Sequence, residues 1–451
     1  MTALTFAHAL LPGGWAEGVT IDVDADGIIA SVTTGAAGGR GIAVPGVPNC
    51  HSHAFQRAMA GLTERAGPAG DSFWTWRELM YRFAQTIGPD ELGAVAAQLC
   101  IEMLKGGYTS VAEFHYLHHA PGGTPYATPT ELSDRVIGAA RNVGLAITHL
   151  PVLYAFAGFG EEPPQDGQAR FINNAESFLR IVSDLRDRYA GDAGVRIGIA
   201  PHSLRATSEP LLREVLAGLD TMDRSAPVHI HIAEQVKEVD DCVAWSGARP
   251  VDWLMDHFDV AERWCLVHAT HMDATETKRL ASSGAVAGVC PTTEANLGDG
   301  LFPAREYLNA GGRLAVGSDS NVALSAAEEL RLFEYGQRLA TRERNVLAGA
   351  PDASTGRRLF DAITSGGAQA LGINAGAIEV GRRADIVVLD AEHPALAHRD
   401  GDEILDSWIF ASAGNPVRDV YVAGRKVIED GHHAHEDEIA SRFRFALKQL
   451  G

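Results

Sequence analysis

Residues 227–234 read Pro227-Val228-His229-Ile230-His231-Ile232-Ala233-Glu234. The run is apolar except at its alternating histidines, and an acid follows at its end. A short apolar run of this kind reads as a buried strand. Seven other runs of the same character flank it: Gly41–Val47, Ser110–Tyr116, Leu145–Leu153, Arg196–His202, Trp264–Ala269, Ala285–Cys290 and Arg313–Gly317. Helical periodicity fills most of the gaps, as in Asp90–Lys105, Asn173–Tyr189, Ala274–Ser282 and Ser325–Leu339. Alternating β and α patterns place the chain in the α/β class, and eight such units predict a parallel sheet closed into a (β/α)8 TIM-like barrel. The competing architecture is an open doubly wound sheet. No GxGxxG follows the first strand, and eight units suit closure better.

The two chain ends have a different character. Val19–Asp24 and Gly27–Val32 are strand-like runs about Ala25-Asp26, a hairpin signal. The Gly/Ala-rich stretch Thr34–Gly41 follows. Near the other end, Ala384–Asp390, Val417–Val422 and Arg425–Ile428 are β-rich, with Ala423-Gly424 turning between the last two. Glu436–Leu450 is an amphipathic helical pattern. These ends are expected to pair across the chain. The resulting division is a small β-sandwich domain from 1–45 and 375–451, with the C-terminal helix, and a metal-dependent barrel over 46–374.

Composition narrows the function. With 451 residues, 46% of them hydrophobic and 21% charged, the chain can bury a large core. A formal net charge of −20 argues against nucleic acid or an anionic membrane as partner. The apolar runs are too short and interrupted to span a bilayer. Met1–Leu11 lacks the basic start of a signal peptide. Five widely spaced cysteines argue against a disulfide framework, and a cytoplasmic location is expected.

The polar clusters fall where a barrel keeps its chemistry, at the C-terminal ends of strands. The first strand leads into Asn49-Cys50-His51-Ser52-His53, the sixth into Val267-His268-Ala269-Thr270-His271, and the eighth into Gly317-Ser318-Asp319-Ser320. Residues i and i+2 of a strand point to one side, so His51 and His53 can present two imidazoles to one point. Alone, an HxH pair is a weak signal. Three imidazoles and a carboxylate suit Zn²⁺, with Fe²⁺ and Mn²⁺ left open by residue type. Glu234 has two readings: a general base beside an activated water, or a charge at the N-terminus of a helix over Gln235–Trp245.

Together these residues resemble the amidohydrolase superfamily, with HxH at strand one, HxxE at strand five, His at strand six and Asp at strand eight. Gly376–Gly381, Ala384–Asp390 and Val420–Val427 look like that family's flanking β segments. A narrower resemblance, to the formimidoylglutamate deiminases of histidine degradation, rests on His51–Gly61, Phe73–Arg77, Glu113–Tyr116 and Ala200–Arg205. It implies hydrolysis of N-formimidoyl-L-glutamate to N-formyl-L-glutamate and ammonia, one zinc per subunit and a homodimer. The implied metal ligands are His51, His53, His231 and Asp319. Glu234 is the implied proton shuttle, and His268 assists the attacking water. Gln56, Arg77, Tyr116, His202 and Arg205 are the implied substrate-binding residues.

The chemistry of such a substrate bears on the arginines. It is a small amidine carrying two carboxylates, and a guanidinium matches a carboxylate bidentately. Arg77 and Arg205 are the natural readers, and a neutral nucleobase would not need them. Each has a plainer alternative. Arg77 lies in the aromatic stretch Phe73–Phe83, a helix or lid, where Arg82 is a rival. His202 can be a satisfied structural histidine, Tyr116 a cap on the rim, and Trp74 and Trp76 pocket wall. His115, His118, His119, His271, His432, His433 and His435 remain background. Rival functions are purine or pyrimidine deamination, an imidazolonepropionase-like cyclic amidase, and a barrel that only binds.

Overall fold

In the computed structural model, which describes residues 1–65 and 71–450, the barrel strands are Val47–Ser52, Tyr108–His115, Ala146–Leu153, a split fourth strand of Val195–Ile197 and Ala200–Pro201, Val228–Ile232, Trp264–His268, Val286–Val289 and Arg313–Val316. All their ladders are parallel. Hydrogen bonding runs without a break from the fifth strand through the eighth to the first and on to the fourth. A bridge between Ile199 and Val228 joins the fourth strand to the fifth and closes the ring. Most of these strands are buried at every residue, as expected where helices cover a parallel sheet.

Two strand boundaries differ from the sequence expectation. The run Gly41–Val47 is divided: Ile42–Pro45 belongs to the sheet of the chain ends, and the first barrel strand starts at Val47. Gly46 is the joint, where an added Cβ would lie 2.3 Å from the Thr109 side chain. The fourth strand breaks at Gly198, where a Cβ would lie 2.5 Å from the Pro227 carbonyl oxygen. At Gly198 the Pro227 backbone crosses too closely for a side chain, and at Gly46 the buried Thr109 side chain fills the space a Cβ would need.

The helices follow the sequence pattern closely. Pro89–Lys105 begins with Pro at its first position and Asp90 and Glu91 in its first turn. It buries Leu92, Val95, Ala96, Leu99, Met103 and Leu104 along one stripe. Thr355–Leu371 presses glycines against strand backbones: a Cβ on Gly366 would sit 2.0 Å from the Leu314 carbonyl oxygen, and one on Gly367 2.9 Å from that of Pro48. None of the described helices is long and apolar enough to cross a membrane.

The chain ends form one seven-stranded sheet. Its order is Arg425–Ile428, Val417–Val422, Ile386–Leu389, Ile42–Pro45, Thr2–Leu11, Gly14–Val23 and Ile29–Thr33. Phe6, Val19, Ile21, Ile29, Ile386 and Val388 belong to a second, smaller apolar core within it. Thr2–Leu11 is a strand that the sequence reading did not single out. The last helix, Glu436–Leu450, packs against barrel helix Pro89–Lys105, where Lys105 Nζ pairs with Glu436 at 3.0 Å.

Two glycine substitutions should move stability in opposite directions. Gly138 lies inside helix Glu131–Val143 with nothing within 4 Å of its added Cβ. Gly138→Ala is expected to stabilise by about 0.5–1 kcal/mol through helix propensity and unfolded-state entropy. Gly366→Ala is expected to cost about 1–3 kcal/mol, because the helix must back away from Leu314. Denaturant midpoints of the two variants measure both signs.

Candidate metal centre and active site

The ends of the first, fifth and eighth barrel strands bring four donors together. His51 Nε2 lies 2.9 Å from His231 Nε2. Asp319 Oδ1 lies 3.5 Å from His51 Nε2 and 3.4 Å from His53 Nε2. His53 Nδ1 donates to the Phe114 carbonyl at 2.9 Å, which leaves its Nε2 lone pair facing inward. His51, His53 and His231 are a set able to hold a metal ion, and so are His51, His268 and Asp319.

Burial sets the protonation states. It lowers the His51 imidazole to about 3 and holds His53 and His231 below their ordinary range. These rings are neutral, as metal ligands must be. Two neutral Nε2 atoms 2.9 Å apart satisfy each other only if one ring carries its proton there; with both rings protonated on Nδ1 the two lone pairs face one point, which suits a cation. Burial opposes the Asp319 carboxylate, but the His51 hydrogen bond and the surrounding imidazoles keep it ionised, well below its usual range. Three imidazoles and one carboxylate fit a divalent ion of intermediate softness.

His268 stands beside this cluster. Its Nε2 is 3.7 Å from Asp319 Oδ2 and 3.9 Å from Glu234 Oε1, and its Nδ1 is 3.2 Å from Glu294 Oε1. Burial works against its cation, but Glu234, Glu294 and Asp319 outweigh that and raise it to about 10. Burial lifts the Glu234 carboxyl to about 7, against the pull of His268. Ala233, His268, Ala269 and Asp319 all have positive φ, from 46° to 67°. Strain of this kind at non-glycine residues gathers at functional sites, where the surroundings over-determine the backbone.

A buried network clamps the eighth strand to the first. Asn49 Nδ2 donates to Ser318 Oγ at 2.7 Å, and Asn49 Oδ1 accepts from the Ser318 and His51 N–H groups at 3.1 and 3.2 Å. Ser318 Oγ donates to Asn321 Oδ1 at 2.7 Å, and Asn321 Nδ2 reaches the His53 carbonyl at 3.1 Å. Main-chain bonds complete the clamp: His53 N–H to Asp319 at 3.0 Å, and Asp319 N–H to His51 at 2.9 Å. Glu113 accepts the Ala54 N–H at 2.7 Å, and burial raises its carboxyl to about 8. The sequence reading missed the roles of Asn49, Ser318, Asn321 and Glu294. Asn49, a polar residue inside a buried strand, was the one visible signal.

The five expected substrate-binding residues share one cavity with the cluster. Gln56, Arg77, Tyr116, His202 and Arg205 line one narrow cavity together with His53, His231, Glu234, His268 and Asp319. Gln56 Nε2 donates to Tyr116 Oη at 2.8 Å, and Gln56 Oε1 is buried without a partner. Arg77 sits on helix Phe73–Ala84, its guanidinium 4.5 Å from the Trp74 ring centre and 5.5 Å from that of Tyr81. Arg82 is exposed and lines a separate surface groove with Leu79 and Asn296. Trp76 lines the cavity. The remaining histidines lie elsewhere: His229 faces the Ala370 carbonyl, His271 that of Asp299, His118 that of Val152 and His119 that of Ile172. His433 differs from the solvated tail expected of it, since it is buried and bonds the Val143 carbonyl.

The model of the amidohydrolase family matches residues 42–427, and that of the N-terminal domain of formimidoylglutamate deiminase HutF matches residues 1–41. The chain belongs to the amidohydrolase family. It is 53% identical to the formimidoylglutamate deiminase of Pseudomonas aeruginosa, with all of both chains covered. The crystal structure of an amidohydrolase from Brucella melitensis superposes with a TM-score of 0.95 at 51% identity, again over the full length of both. Atrazine chlorohydrolase TrzN from Arthrobacter aurescens, a structure complexed with zinc, matches with a TM-score of 0.85 at 23% identity, covering 99% of this chain and 100% of its own. That last likeness concerns the fold alone.

Two variants separate ligation from support. Asp319→Ala is expected to lose bound divalent metal, measured by atomic emission on protein dialysed against a weak chelator. Asn49→Ala keeps every ligand but loosens the clamp. It should weaken metal affinity by roughly 10- to 100-fold in competition with a chromogenic chelator.

Proposed function

We propose that the chain hydrolyses N-formimidoyl-L-glutamate to N-formyl-L-glutamate and ammonia, the deimination step of histidine degradation. The observation that carries this reading is the shared cavity, in which four histidines, His53, His202, His231 and His268, and Asp319 stand beside two arginines. A metal centre alone fits many hydrolases. Two guanidiniums in the same small space, in a chain of net charge −20, fit a substrate with two carboxylates. The full-length identity to a formimidoylglutamate deiminase supports the same conclusion.

In this reading His51, His53, His231 and Asp319 hold one zinc ion per subunit. Zinc bound there supplies a Lewis acid that lowers the pKa of a water toward about 7 and makes it a nucleophile. Glu234, its carboxyl near 7, takes the proton from the water and returns it to the departing nitrogen. A carbon–oxygen bond forms at the formimidoyl carbon. The bond to the imino nitrogen breaks, ammonia leaves, and the glutamate nitrogen stays attached. His268, whose Nε2 lies 3.7 Å from Asp319 and 3.9 Å from Glu234, orients the water and steadies the charge that develops on the oxygen as the tetrahedral centre forms. Gln56 Oε1 offers an unused acceptor to an amidine N–H. Tyr116 and His202 shape the wall around the chain of the substrate, and Arg77 and Arg205 take its carboxylates.

A cytoplasmic homodimer belongs to the same reading, and five buried, unpaired cysteines suit a reducing compartment. So does a division into a barrel over 46–374 and a unit built from 1–45 and 375–451, the end of which, Gly451, lies outside the described residues.

Zinc-loaded protein is expected to release ammonia from N-formimidoyl-L-glutamate, with N-formylglutamate as co-product, and none from guanine, adenosine or cytosine. Turnover of a base in place of the amidine would sink the assignment. Glu234→Gln is expected to retain its zinc while turnover falls at least about 100-fold. A rate near that of the parent would remove Glu234 from the proton path.

A further inference from the structure

Helix Val236–Ser246 buries Val239 and Cys242 against the core in the ordinary way, but Glu238 goes in beside them. The helix exposes Val236, Val243 and Trp245, at 57%, 41% and 44%, and buries Glu238 completely. Glutamate in a first helical turn normally faces water, and a buried carboxylate costs several kcal/mol unless partnered. The partners of Glu238 are therefore informative. Its Oε2 accepts the main-chain N–H of Glu234 at 3.2 Å and faces Arg205 Nη2 at 3.9 Å. Its Oε1 is buried without a partner, and so is Arg205 Nε. Glu234 itself follows Ala233, held at φ +50°, a conformation that needs outside support.

Building on the deiminase reading, we infer that Glu238 is a positioning residue that ties the carboxylate-reading Arg205 to the proton-handling Glu234. One side chain braces both. It supports the strained turn after the fifth strand through the Glu234 amide, and it sets the direction of the Arg205 guanidinium from behind. Arg77 is oriented by another means, the ring faces of Trp74 and Tyr81. The Trp74 ring also lies 5.8 Å from the Arg205 guanidinium, so the two arginines share one aromatic face, but it is Arg205 that has the Glu238 carboxylate behind it and through it the link to the reaction centre.

The test is a double-mutant cycle on zinc-loaded enzyme with Glu238→Gln, Arg205→Ala and both. Glutamine keeps an acceptor for the Glu234 N–H but loses the charge opposite Arg205. On N-formimidoyl-L-glutamate, Glu238→Gln is expected to lower kcat/KM about tenfold, chiefly through KM, and to cost less than about twofold once Arg205 is gone. Two one-carboxylate analogues sharpen the result: N-formimidoyl-4-aminobutyrate and N-formimidoyl-L-2-aminobutyrate. The Glu238→Gln penalty should vanish on the same analogue on which the Arg205→Ala penalty vanishes. Additive losses, or equal penalties on both analogues, would overturn the coupling. Should Glu238→Gln fail to fold, Glu238→Asp, which keeps the charge and withdraws it by one methylene, is expected to give the same analogue dependence. No turnover of N-formimidoyl-L-glutamate by the parent enzyme would instead overturn the deiminase reading, and this inference with it.

Discussion

The seam between the eighth and first barrel strands is the contact on which the rest of the site depends. Its regular pairing is short, with Val316 opposite Asn49 and a bridge between Ser52 and Asp319. Yet three of the four candidate ligands sit on it. Gly317 makes the close approach possible, since a Cβ there would lie 2.7 Å from His51 Cβ. Beyond it the chain turns through Asp319 at φ +46°, and the carboxylate swings under the two imidazoles of the first strand. The Asn49–Ser318–Asn321 network holds that turn in place. Polar side chains in a dry interior are costly if unpaired and rigid when fully paired. Here they lock the candidate ligands in register.

The same low dielectric organises the charges. His268 is buried among Glu234, Glu294 and Asp319, so its cation is favoured where burial alone would remove it. Glu234 is raised toward neutrality by burial, while Asp319 stays ionised among imidazoles. Two carboxylates a few ångströms apart thus differ in proton affinity because their neighbours differ. On the opposite wall, Arg205 and Arg77 bring positive charge into an otherwise acidic molecule.

The sheet of the chain ends is joined to this site through a single glycine. Ile42–Pro45 is a strand of that sheet, and one residue later Val47 starts the strand that carries His51. The Gly46 N–H bonds the Asp385 carbonyl, and the Val47 N–H that of Gly107. The base of the first barrel strand is therefore fixed by two sheets at once, and the precision needed at its far end begins there.

Much of this was legible in the residues. The barrel strands follow from short continuous apolar runs, and the helices, among them Glu436–Leu450, from an apolar period of about 3.6, which each segment carries locally. The HxH pair, the HxxE and the aspartate were visible as residue types at strand ends. Local pattern could not choose between chemically identical candidates, and the preference for Arg77 over Arg82 and for His268 over His271 rested on the family resemblance. Arg77 enters the cavity and Arg82 does not, His268 joins the cluster and His271 does not, because helix rotation and strand register decide which side chain reaches a shared point. The supporting residues were hidden for a related reason. Asn49, Ser318, Asn321, Glu294 and Glu238 gain meaning only from their partners, up to 269 positions away as between Asn49 and Ser318. The amino-acid sequence by itself determined the barrel and the kind of chemistry, since both rest on local pattern and composition. The tertiary structure alone decided which atoms converge, since convergence comes from closing the ring.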